Sequence, residues 1–440
     1  MKQSRYALLC KLDKDYALFN SATGRFATCD EHYANVFKTI SGDKKALDEL
    51  AVAGFLVEDD RDELAEQQRR FLSARTDHDQ LFLSLAPTYA CNCRCAYCYE
   101  QDKLTAKSLM SPKVENAIFS FVEERFEATG FTRLFVEWYG GDPQLCLGLV
   151  SRLSERLIGF CDARGVEYNA MMLSNSTRIG DDEADLLLCA RVSSMLVTID
   201  GPEDLHNKRR PAIDVDNPYQ AIMSAIDALQ KRGIAVSAAM NADRVNMARL
   251  DELRCALASR NVSVTPAKLN DYAHTFNCPG EHKFCKPGFD LYTHEEFAHA
   301  NYEALAREGF TAPRLAGLLS ASDHFCSGHL ESSYVIDAFG DVYKCDGWMG
   351  DKSRSLFNLL DWASSSDPDS IAVTDAVSSN PLEDTQCREC NLLPICWGNC
   401  SWERELCHWP CHPLRYTLDR YLRSYRDCFP PRTSPFTVLA

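Results

Sequence analysis

The segment ACNCRCAYCYE, residues 90–100, directly follows an apolar run at 81–85 that predicts a β-strand. Three of its cysteines, Cys91, Cys95 and Cys98, stand at CxxxCxxC spacing. Three thiolates on one short loop can hold three irons of a cubane 4Fe–4S cluster and leave the fourth iron open to a ligand. Zinc is the alternative, although structural zinc sites normally use four ligands in CxxC pairs. Cys93 falls outside the spacing, and we expect its side chain to point away.

Strands and helices alternate on both sides of this loop. Candidate strands lie at 81–85, 133–138, 167–173, 194–199, 234–240 and 262–269. One intervening helix has Ser111 as its N-cap, Pro112 in its first turn and Gly130 just after its end. A second helix, 219–232, ends at Gly233 in the same way. This α/β pattern predicts a parallel sheet with helices on its outer face, and it places loops with functional residues at the carboxyl ends of the strands.

Composition narrows the class of protein. The chain has 440 residues, 45% of them hydrophobic and 25% charged, which is ordinary for a folded protein of two or three domains. The net charge of −16 argues against a nucleic-acid partner, because phosphate neutralisation requires excess Lys and Arg. Neither a signal peptide nor a membrane span is recognisable, so we expect a cytoplasmic protein. Twenty-one cysteines in such a chain indicate metal binding rather than disulfides.

The cysteine spacing, with Tyr97 before the third cysteine, resembles that of the radical S-adenosylmethionine (SAM) enzymes. In that family the open iron binds the amino and carboxylate groups of SAM, and one electron from the cluster cleaves SAM to a 5′-deoxyadenosyl radical. The resemblance implies a partial (β/α)6 barrel, with which the count of six strands agrees.

Further motifs of the barrel resemble the same family. Residues 138–143, WYGGDP, are similar to the family's GGEP motif, which receives the SAM amino group, with Asp in place of Glu. Its members here are Gly140, Gly141, Asp142 and Pro143, and the two glycines would let the backbone approach a ligand closely. After the third strand, Ser174 and Asn175 either line the pocket mouth or cap the next helix.

The run VTIDGP at 197–202 resembles the family stretch SxDGxxxxHxxxR and includes Asp200. The resemblance assigns Thr198 to the SAM ribose and Arg210 to its carboxylate, which a guanidinium can bind in a bidentate manner. His206 is expected to orient this loop. Tyr97 and Leu269 would lie on either side of the adenine.

Nine cysteines crowd the segment between Cys326 and Cys428, and their spacing resembles the SPASM extension of radical SAM proteins. Thirteen residues separate Cys326 from Gly340, and four separate Gly340 from Cys345. The resemblance implies two auxiliary 4Fe–4S clusters. The first would be held by Cys326, Cys345 and Cys400, and the second by Cys387, Cys390 and Cys396 together with Cys411 or, less favoured, Cys407. The first cluster's fourth ligand stays open between Cys278, Cys285 and substrate, and zinc in the four-Cys run is an alternative. The family's CxGGC is Cys-Trp-Gly-Asn-Cys here, at 396–400.

Residues 1–75 contain a predicted hairpin at 16–28, helices at 30–40 and 43–53, and a closing strand at 54–57, which together suggest a winged-helix-like module. The arrangement resembles the leader-peptide recognition (RRE-like) modules of radical SAM peptide maturases. Such modules bind an extended peptide by adding it as a strand to a sheet edge. A plain cap on the catalytic domain is the alternative. Residues 62–75 are predicted to be a helical linker.

These observations predict four regions: the recognition-like module at 1–75, the barrel at 76–275, a bridging region at 276–325 and the SPASM domain at 326–440. The resemblance implies a radical SAM peptide maturase that installs a thioether or carbon–carbon crosslink in a ribosomally made precursor. Its partners would be a leader-bearing peptide and an electron donor such as flavodoxin or ferredoxin.

The enzymatic alternative is a sulfatase-type maturase that forms formylglycine. It is favoured by Asp346, which follows Cys345 where those enzymes place an acidic base and which is our candidate catalytic residue. A non-enzymatic iron–sulfur electron carrier is the alternative of another class, and it would have no use for the GGDP and 198–210 elements.

Overall fold

The computed structural model describes residues 1–98, 100, 108–269, 289–324, 326–364, 380–407 and 411–440. The first unit contains β1 (Lys2–Gln3), β2 (Ala7–Lys11), β3 (Tyr16–Asn20), β4 (Phe26–Cys29), α1 (Glu31–Thr39), α2 (Lys44–Val52), β5 (Leu56–Val57) and α3 (Glu63–Arg75). The side chains of Asp30 and Asp43 accept from backbone N–H groups in the first turns of α1 and α2, which fixes where these helices begin.

The predicted hairpin corresponds to β3 and β4, but the closing strand β5 pairs with β1 in a separate two-stranded sheet. The hairpin is the centre of a four-stranded antiparallel sheet whose outer strands are β2 and a strand from the far end of the sequence. Local pattern predicted neither outer strand.

The central region contains six parallel strands in sequence order. They are β6 (Gln80–Leu85), β7 (Arg133–Trp138), β8 (Glu167–Ser174), β9 (Val192–Thr198), β10 (Ala235–Ala242) and β11 (Val264–Lys268). The helices of this region are α4 (Pro112–Thr129), α5 (Leu147–Arg164), α6 (Asp181–Cys189), α7 (Glu203–Arg209), α8 (Pro218–Lys231), α9 (Arg244–Met247) and α10 (Leu250–Ala258). The predicted parallel α/β core is confirmed.

The remaining elements are α11 (His294–Glu308), α12 (Ala312–Leu318), β12 (Ser333–Ile336), β13 (Asp341–Tyr343), β14 (Phe357–Asn358), α13 (Leu359–Ser364), α14 (Thr385–Glu389), α15 (Leu393–Cys396), α16 (Ser401–Cys407), α17 (Leu414–Asp427) and β15 (Phe436–Val438). β12 pairs in parallel with β6, and β13 and β14 continue the sheet, so it has nine strands rather than six. The addition covers the backbone groups that β6 would otherwise expose at a sheet edge.

Apolar residues on the strands pack against the surrounding helices in two large clusters. In the first, Trp138 of β7 and Phe121 of α4 are fully buried. Strand β7 alternates between residues buried under the helices and residues that face the concave side of the sheet, so Glu137 lies inside the barrel. In the part of the chain that the structure describes, no helix combines the length and the apolar character needed to cross a bilayer.

Candidate functional site

An open cavity of about 310 Å³ lies at the carboxyl ends of the parallel strands. Most of the residues assigned to the iron–sulfur cluster and to SAM line this cavity: Cys91, Cys95, Tyr97, Cys98, Gly140, Gly141, Asp142, Ser174, Asn175, Thr198, Arg210 and Leu269. Pro143 and Asp200 are buried behind the cavity wall. Three thiols on a cavity with room for an organic ligand fit a cluster with one open iron.

The loop that carries the three cysteines is bound to the segment that follows α7. Arg94 N donates to Pro211 O at 2.8 Å and Ile213 N donates to Asn92 O at 2.9 Å, on either side of a β-bridge between Cys93 and Ala212. The expectation for Cys93 was wrong. Its side chain is buried, and hydrogen bonding with the sulfurs of Cys91 and Cys95 raises the pKa of its thiol far above the usual value.

The cysteines of this loop titrate in different environments. The hydrogen bond from Cys93, aided by the positive charge of Arg210, lowers the pKa of Cys95 to about 7 against the effect of burial. Burial, followed by the negative charge of Cys95, raises the pKa of Cys98 to about 12. Cys95 is therefore more easily converted than Cys98 to the thiolate that binds iron.

The two glycines after β7 permit a close approach between two loops at the cavity wall. A Cβ on Gly141 would lie 2.3 Å from Tyr89 O, and one on Gly140, whose φ is +100°, would lie 2.7 Å from Thr88 O. Gly141 N donates to Thr88 O at 3.0 Å. These glycines hold the β7 loop against the segment that leads into Cys91.

Asp142 joins the ends of β7 and β8. Its Oδ1 accepts from Ser174 Oγ at 2.8 Å, and its Oδ2 accepts from Asn175 N at 2.9 Å. The backbone and side-chain nitrogens of Gln144 donate to the two oxygens at 3.2 Å, so all four acceptor positions of the carboxylate are used. Burial raises the pKa of Asp142 to about 6, against the opposing effect of these hydrogen bonds.

Tyr97 is the centre of a buried polar network at the opposite wall. Its hydroxyl donates to Asp200 Oδ2 and accepts from Arg210 and, at 3.0 Å, from Asn241 Nδ2. The other oxygen of Asp200 accepts from Asn241 N at 2.9 Å. Asp200 thus positions Tyr97 and the end of β10 and does not face the cavity.

His206 is fully buried behind this network, and its Nδ1 accepts from Asp200 N at 3.2 Å. Burial, with the charges of Arg210 and Arg209, lowers the pKa of His206 to about 3. The imidazole is therefore neutral at physiological pH and orients the loop after β9.

The polar cavity residues that sequence reasoning did not single out include Asn241 near the end of β10 and Lys268 at the end of β11. The available signal was their position, because both stand where a parallel strand ends at the functional edge of the sheet. No family motif covers them.

A second cavity lies among the late cysteines. Its wall contains four thiols, those of Cys387, Cys390, Cys396 and Cys411. Four thiols on one cavity match the four irons of a cubane cluster, each of which takes one thiolate. Arg404 Nη1 donates to Cys387 Sγ at 3.3 Å, which favours the thiolate form of that ligand. The side chain of Cys407 lies outside the described residues.

Three further thiols, those of Cys326, Cys345 and Cys400, lie close enough to act on one another electrostatically. Burial raises the pKa of Cys326 above its usual value. These are the three ligands assigned to the first auxiliary cluster. The candidates for its fourth ligand, Cys278 and Cys285, fall outside the described residues. Among the described side chains, no three His, Cys, Asp or Glu converge at the distances of a single bound ion.

Asp346 and Glu137 are acidic groups that lie close enough to act on each other electrostatically. Asp346 Oδ1 accepts from Cys345 Sγ at 3.5 Å. Glu137 of β7, two positions before the cavity residue Tyr139, accepts from Ser84 Oγ at 3.0 Å. Burial, with the negative charge of Asp346, raises the pKa of Glu137 to about 7. Sequence reasoning missed Glu137, although a charged residue between apolar ones on a central strand was a signal.

Comparisons with known proteins agree with this geometry. Residues 85–253 match the Radical SAM superfamily. The chain is 21% identical over 375 residues to a cysteine-type anaerobic sulfatase-maturating enzyme of Clostridium novyi, covering 80% of this chain and 94% of that protein. A Clostridium perfringens enzyme of the same description is 23% identical over 77% of this chain and 92% of its own length.

Two solved structures share the fold. Native anSMEcpe with bound AdoMet and Cp18Cys peptide matches 79% of this chain and 99% of its own, with a TM-score of 0.59 and 15% identity. Streptococcus suis SuiB bound to S-adenosylmethionine matches 91% of this chain and 95% of its own, with a TM-score of 0.51 and 14% identity. The chain therefore contains a radical SAM domain and is homologous to anaerobic sulfatase-maturating enzymes.

Proposed function

We propose that this chain is a radical SAM enzyme that modifies a peptide by forming a crosslink, either a thioether or a carbon–carbon bond. The observation that carries the proposal is the single cavity that unites Cys91, Cys95 and Cys98 with the ends of the parallel strands. The peptide bound in the anSMEcpe structure supports a substrate of this kind. When bound in the cavity, the cluster and SAM would supply a 5′-deoxyadenosyl radical able to abstract hydrogen from an unactivated C–H bond.

The chain's own residues would bind SAM and exclude water. Arg210 offers a guanidinium for the SAM carboxylate, Thr198 a hydroxyl for the ribose, and Leu269 an apolar surface for the adenine. Because the carboxylate of Asp142 is already saturated, the amino group would be received by backbone carbonyls of the β7 loop that Asp142 holds in place. This is positioning chemistry, which is what a protein contributes to cofactor-driven reactions.

The two late sets of thiols would hold auxiliary clusters that accept an electron as the crosslink forms. An open iron beside Cys326, Cys345 and Cys400 could bind a substrate thiolate, which favours a thioether. The precursor's leader would bind to residues 1–75, and a flavodoxin or ferredoxin would supply electrons.

Formylglycine formation is the second candidate, and two observations favour it. The relatives from Clostridium are sulfatase-maturating enzymes, and Asp346 lies close enough to Glu137 to act on it electrostatically. An acidic pair of this kind could hold the proton that a substrate Cys or Ser must lose. The two candidates differ in product, since only the crosslink joins two residues of the peptide.

The test is reductive cleavage of SAM by anaerobically reconstituted protein with dithionite. We expect 5′-deoxyadenosine from the wild type and from Cys189→Ala, whose cysteine is exposed on α6, and none from Cys98→Ala. Equal yields from Cys98→Ala and Cys189→Ala would overturn the proposal. Mass spectrometry of a synthetic Cys-containing peptide incubated with the active enzyme then separates a crosslink from formylglycine.

A further inference from the structure

The last strand of the sequence completes the sheet of the first unit. β15 pairs antiparallel with β4, with Phe436 opposite Cys29 and Val438 opposite Ala27. Hydrogen bonds from Asp30 N to Pro435 O at 3.0 Å and from Leu439 N to Phe26 O at 2.8 Å extend the pairing at both ends. The β4 edge, which would otherwise be open to another strand, is thus filled by a distant part of the same chain.

This edge has an aromatic pocket beside it. The ring of Phe436 stacks on Tyr33 of α1 at 5.1 Å and meets Phe55 edge-on at 6.3 Å. Val438 follows on the same face of the strand, opposite Ala27. An extended segment can therefore be recognised here by backbone pairing with β4 and by a pocket for one aromatic side chain.

The strand is attached more loosely than the sheet it completes. β15 has three residues, of which Phe436 and Thr437 are half-buried and Val438 is 43% exposed, whereas every residue of β4 is buried. The preceding segment at 430–435 contains three prolines, and an ion pair of 2.7 Å between Arg432 and Asp15 fastens it. Short, exposed edge elements open at low free-energy cost.

We propose that the β4 edge and the Tyr33–Phe55 pocket form the docking site for an extended segment of the substrate peptide, and that β15 is a tethered occupant which this segment displaces. The segment would carry an aromatic residue followed two positions later by an aliphatic one, as Phe436 and Val438 do. The inference rests on the proposed function and deepens it by naming what the peptide must present.

The peptide segment and β15 must compete, because the β4 edge can pair with only one strand at a time. A segment tethered by a short linker acts at an effective concentration in the millimolar range, so it raises the apparent Kd of any peptide that binds in trans. Only a peptide that fits the pocket at least as well as Phe436 would open the site. The other edge of this sheet, β2, pairs only with β3 among the described residues and is the alternative docking site that the test must exclude.

The test uses a fluorescein-labelled peptide that copies residues 433–440 and measures anisotropy with the anaerobic full-length protein. Phe436→Ala in the protein should lower the apparent Kd about tenfold, since the tethered competitor no longer fills the pocket. Arg432→Ala, which loosens the tether outside the groove, should lower it to a smaller extent. Adding Tyr33→Ala to Phe436→Ala should abolish the gain, and a peptide with Ala in place of its Phe should bind about tenfold more weakly.

An unchanged Kd in both Phe436→Ala and Arg432→Ala would overturn the inference. Tight binding that survives Tyr33→Ala but is lost with Leu9→Pro would move the site to β2 and overturn it as well. Because the readout is binding, the outcome is separable from that of the proposed function. Protein that binds the peptide as expected but makes no 5′-deoxyadenosine would refute the enzyme alone, and protein that makes it but ignores the peptide would refute the docking site alone.

Discussion

Asp142 and Asp200, which the family resemblance assigns to SAM, both bind protein groups. Asp142 accepts from residues of the β8 end, and Asp200 holds the hydroxyl of Tyr97. An aspartate is one methylene shorter than the glutamate of the family motif, and at the cavity wall its carboxylate is occupied by hydrogen bonds from neighbouring protein groups. At the residue scale the cavity is shaped by interactions between its walls.

A substitution at Gly141 is the most direct test of whether contacts between the walls shape the cavity. Gly141→Ala would place a Cβ 2.3 Å from the carbonyl oxygen of Tyr89, which must then move together with the segment that leads into Cys91. We expect the variant to lose the cluster held by Cys91, Cys95 and Cys98, which is about four irons per chain, and to cleave no SAM. Iron analysis and 5′-deoxyadenosine assays measure both.

The matched control is Gly159→Ala in α5, where an added Cβ meets no atom within 4 Å. Replacing glycine by alanine inside a helix stabilises it by about 0.5–1 kcal/mol, so this variant should keep its iron and its activity. Normal cluster loading in Gly141→Ala would show that the two loops do not depend on their close contact.

Glu137 should make the stability of the protein depend on pH. Its folded-state pKa of about 7 lies above the ordinary 4.5, so the folded state favours the protonated form and loses stability as pH rises from 4.5 through 7. Between pH 6 and 8 the loss is about 1 kcal/mol. Glu137→Gln should remove this part of the slope in anaerobic urea unfolding.

The control for this measurement is Glu203→Gln. Hydrogen bonds from Asn217 and Gln220 lower the pKa of Glu203, so it is already ionised in both states above pH 6. Its replacement should leave the change in unfolding free energy between pH 6 and 8 unaltered. If Glu137→Gln and Glu203→Gln have the same slope as the wild type, Glu137 is not held protonated.

At the scale of elements, the sequence predicts the helices and strands that are specified by the local pattern of residues. The six parallel strands follow from apolar runs, and Ser111, Pro112 and Gly130 mark the bounds of α4. What local pattern cannot supply is pairing between distant segments. The attachment of β12 to β6 and of β15 to β4 depends on which edges remain open after the rest has folded.

The residues of the candidate site also differ in how well the sequence predicts them. Motifs identified the cysteines and most of the cavity wall, because the spacing of residues along one loop can be read directly from the sequence. Motifs did not identify Asn241 and Lys268, since each is a single polar residue whose significance comes from its neighbours across the sheet. The position of Cys93 could not be predicted from the sequence, because it is set by a β-bridge to the distant residue Ala212.

The turn between α15 and α16 shows how an element tolerates an unusual sequence. Trp397, Gly398 and Asn399 all have positive φ, although only one is glycine. Trp397 is fully buried, stacks on Phe71 of α3 at 5.1 Å and donates to Ser322 O at 2.7 Å. This packing offsets the backbone cost of about 1–2 kcal/mol. It also makes α3, predicted as a linker, a support for the cysteines on either side.

Trp397→Ala should therefore destabilise the protein by about 3–5 kcal/mol and lower its iron content, because Cys396 and Cys400 flank the turn. Thermal unfolding and iron analysis measure the two effects. Phe339→Ala is the control, as its aromatic ring is 51% exposed and should cost far less. Full iron content in Trp397→Ala would mean that the turn is held by the clusters alone.

At the scale of the whole molecule, the two ends of the sequence meet. The first unit shares its sheet with β15, and α17 packs against β3 and α11, so elements of the first unit and of the bridging region pack with the C-terminal region that carries the late cysteines. Loading of the late clusters should consequently report on the integrity of this shared packing.

The number of irons tests this arrangement. Three 4Fe–4S clusters require about twelve irons per chain. Cys411 lines the cavity with Cys387, Cys390 and Cys396, whereas the sulfur of Cys428 lies at the end of α17 and donates to Ser424 O at 3.4 Å. Cys411→Ala should therefore lower the count to about eight, and Cys428→Ala, which removes an equally late cysteine, should leave it near twelve. An unchanged count in Cys411→Ala would instead make Cys407 the fourth ligand, and the helix α16 would then have to carry its thiol into the cavity.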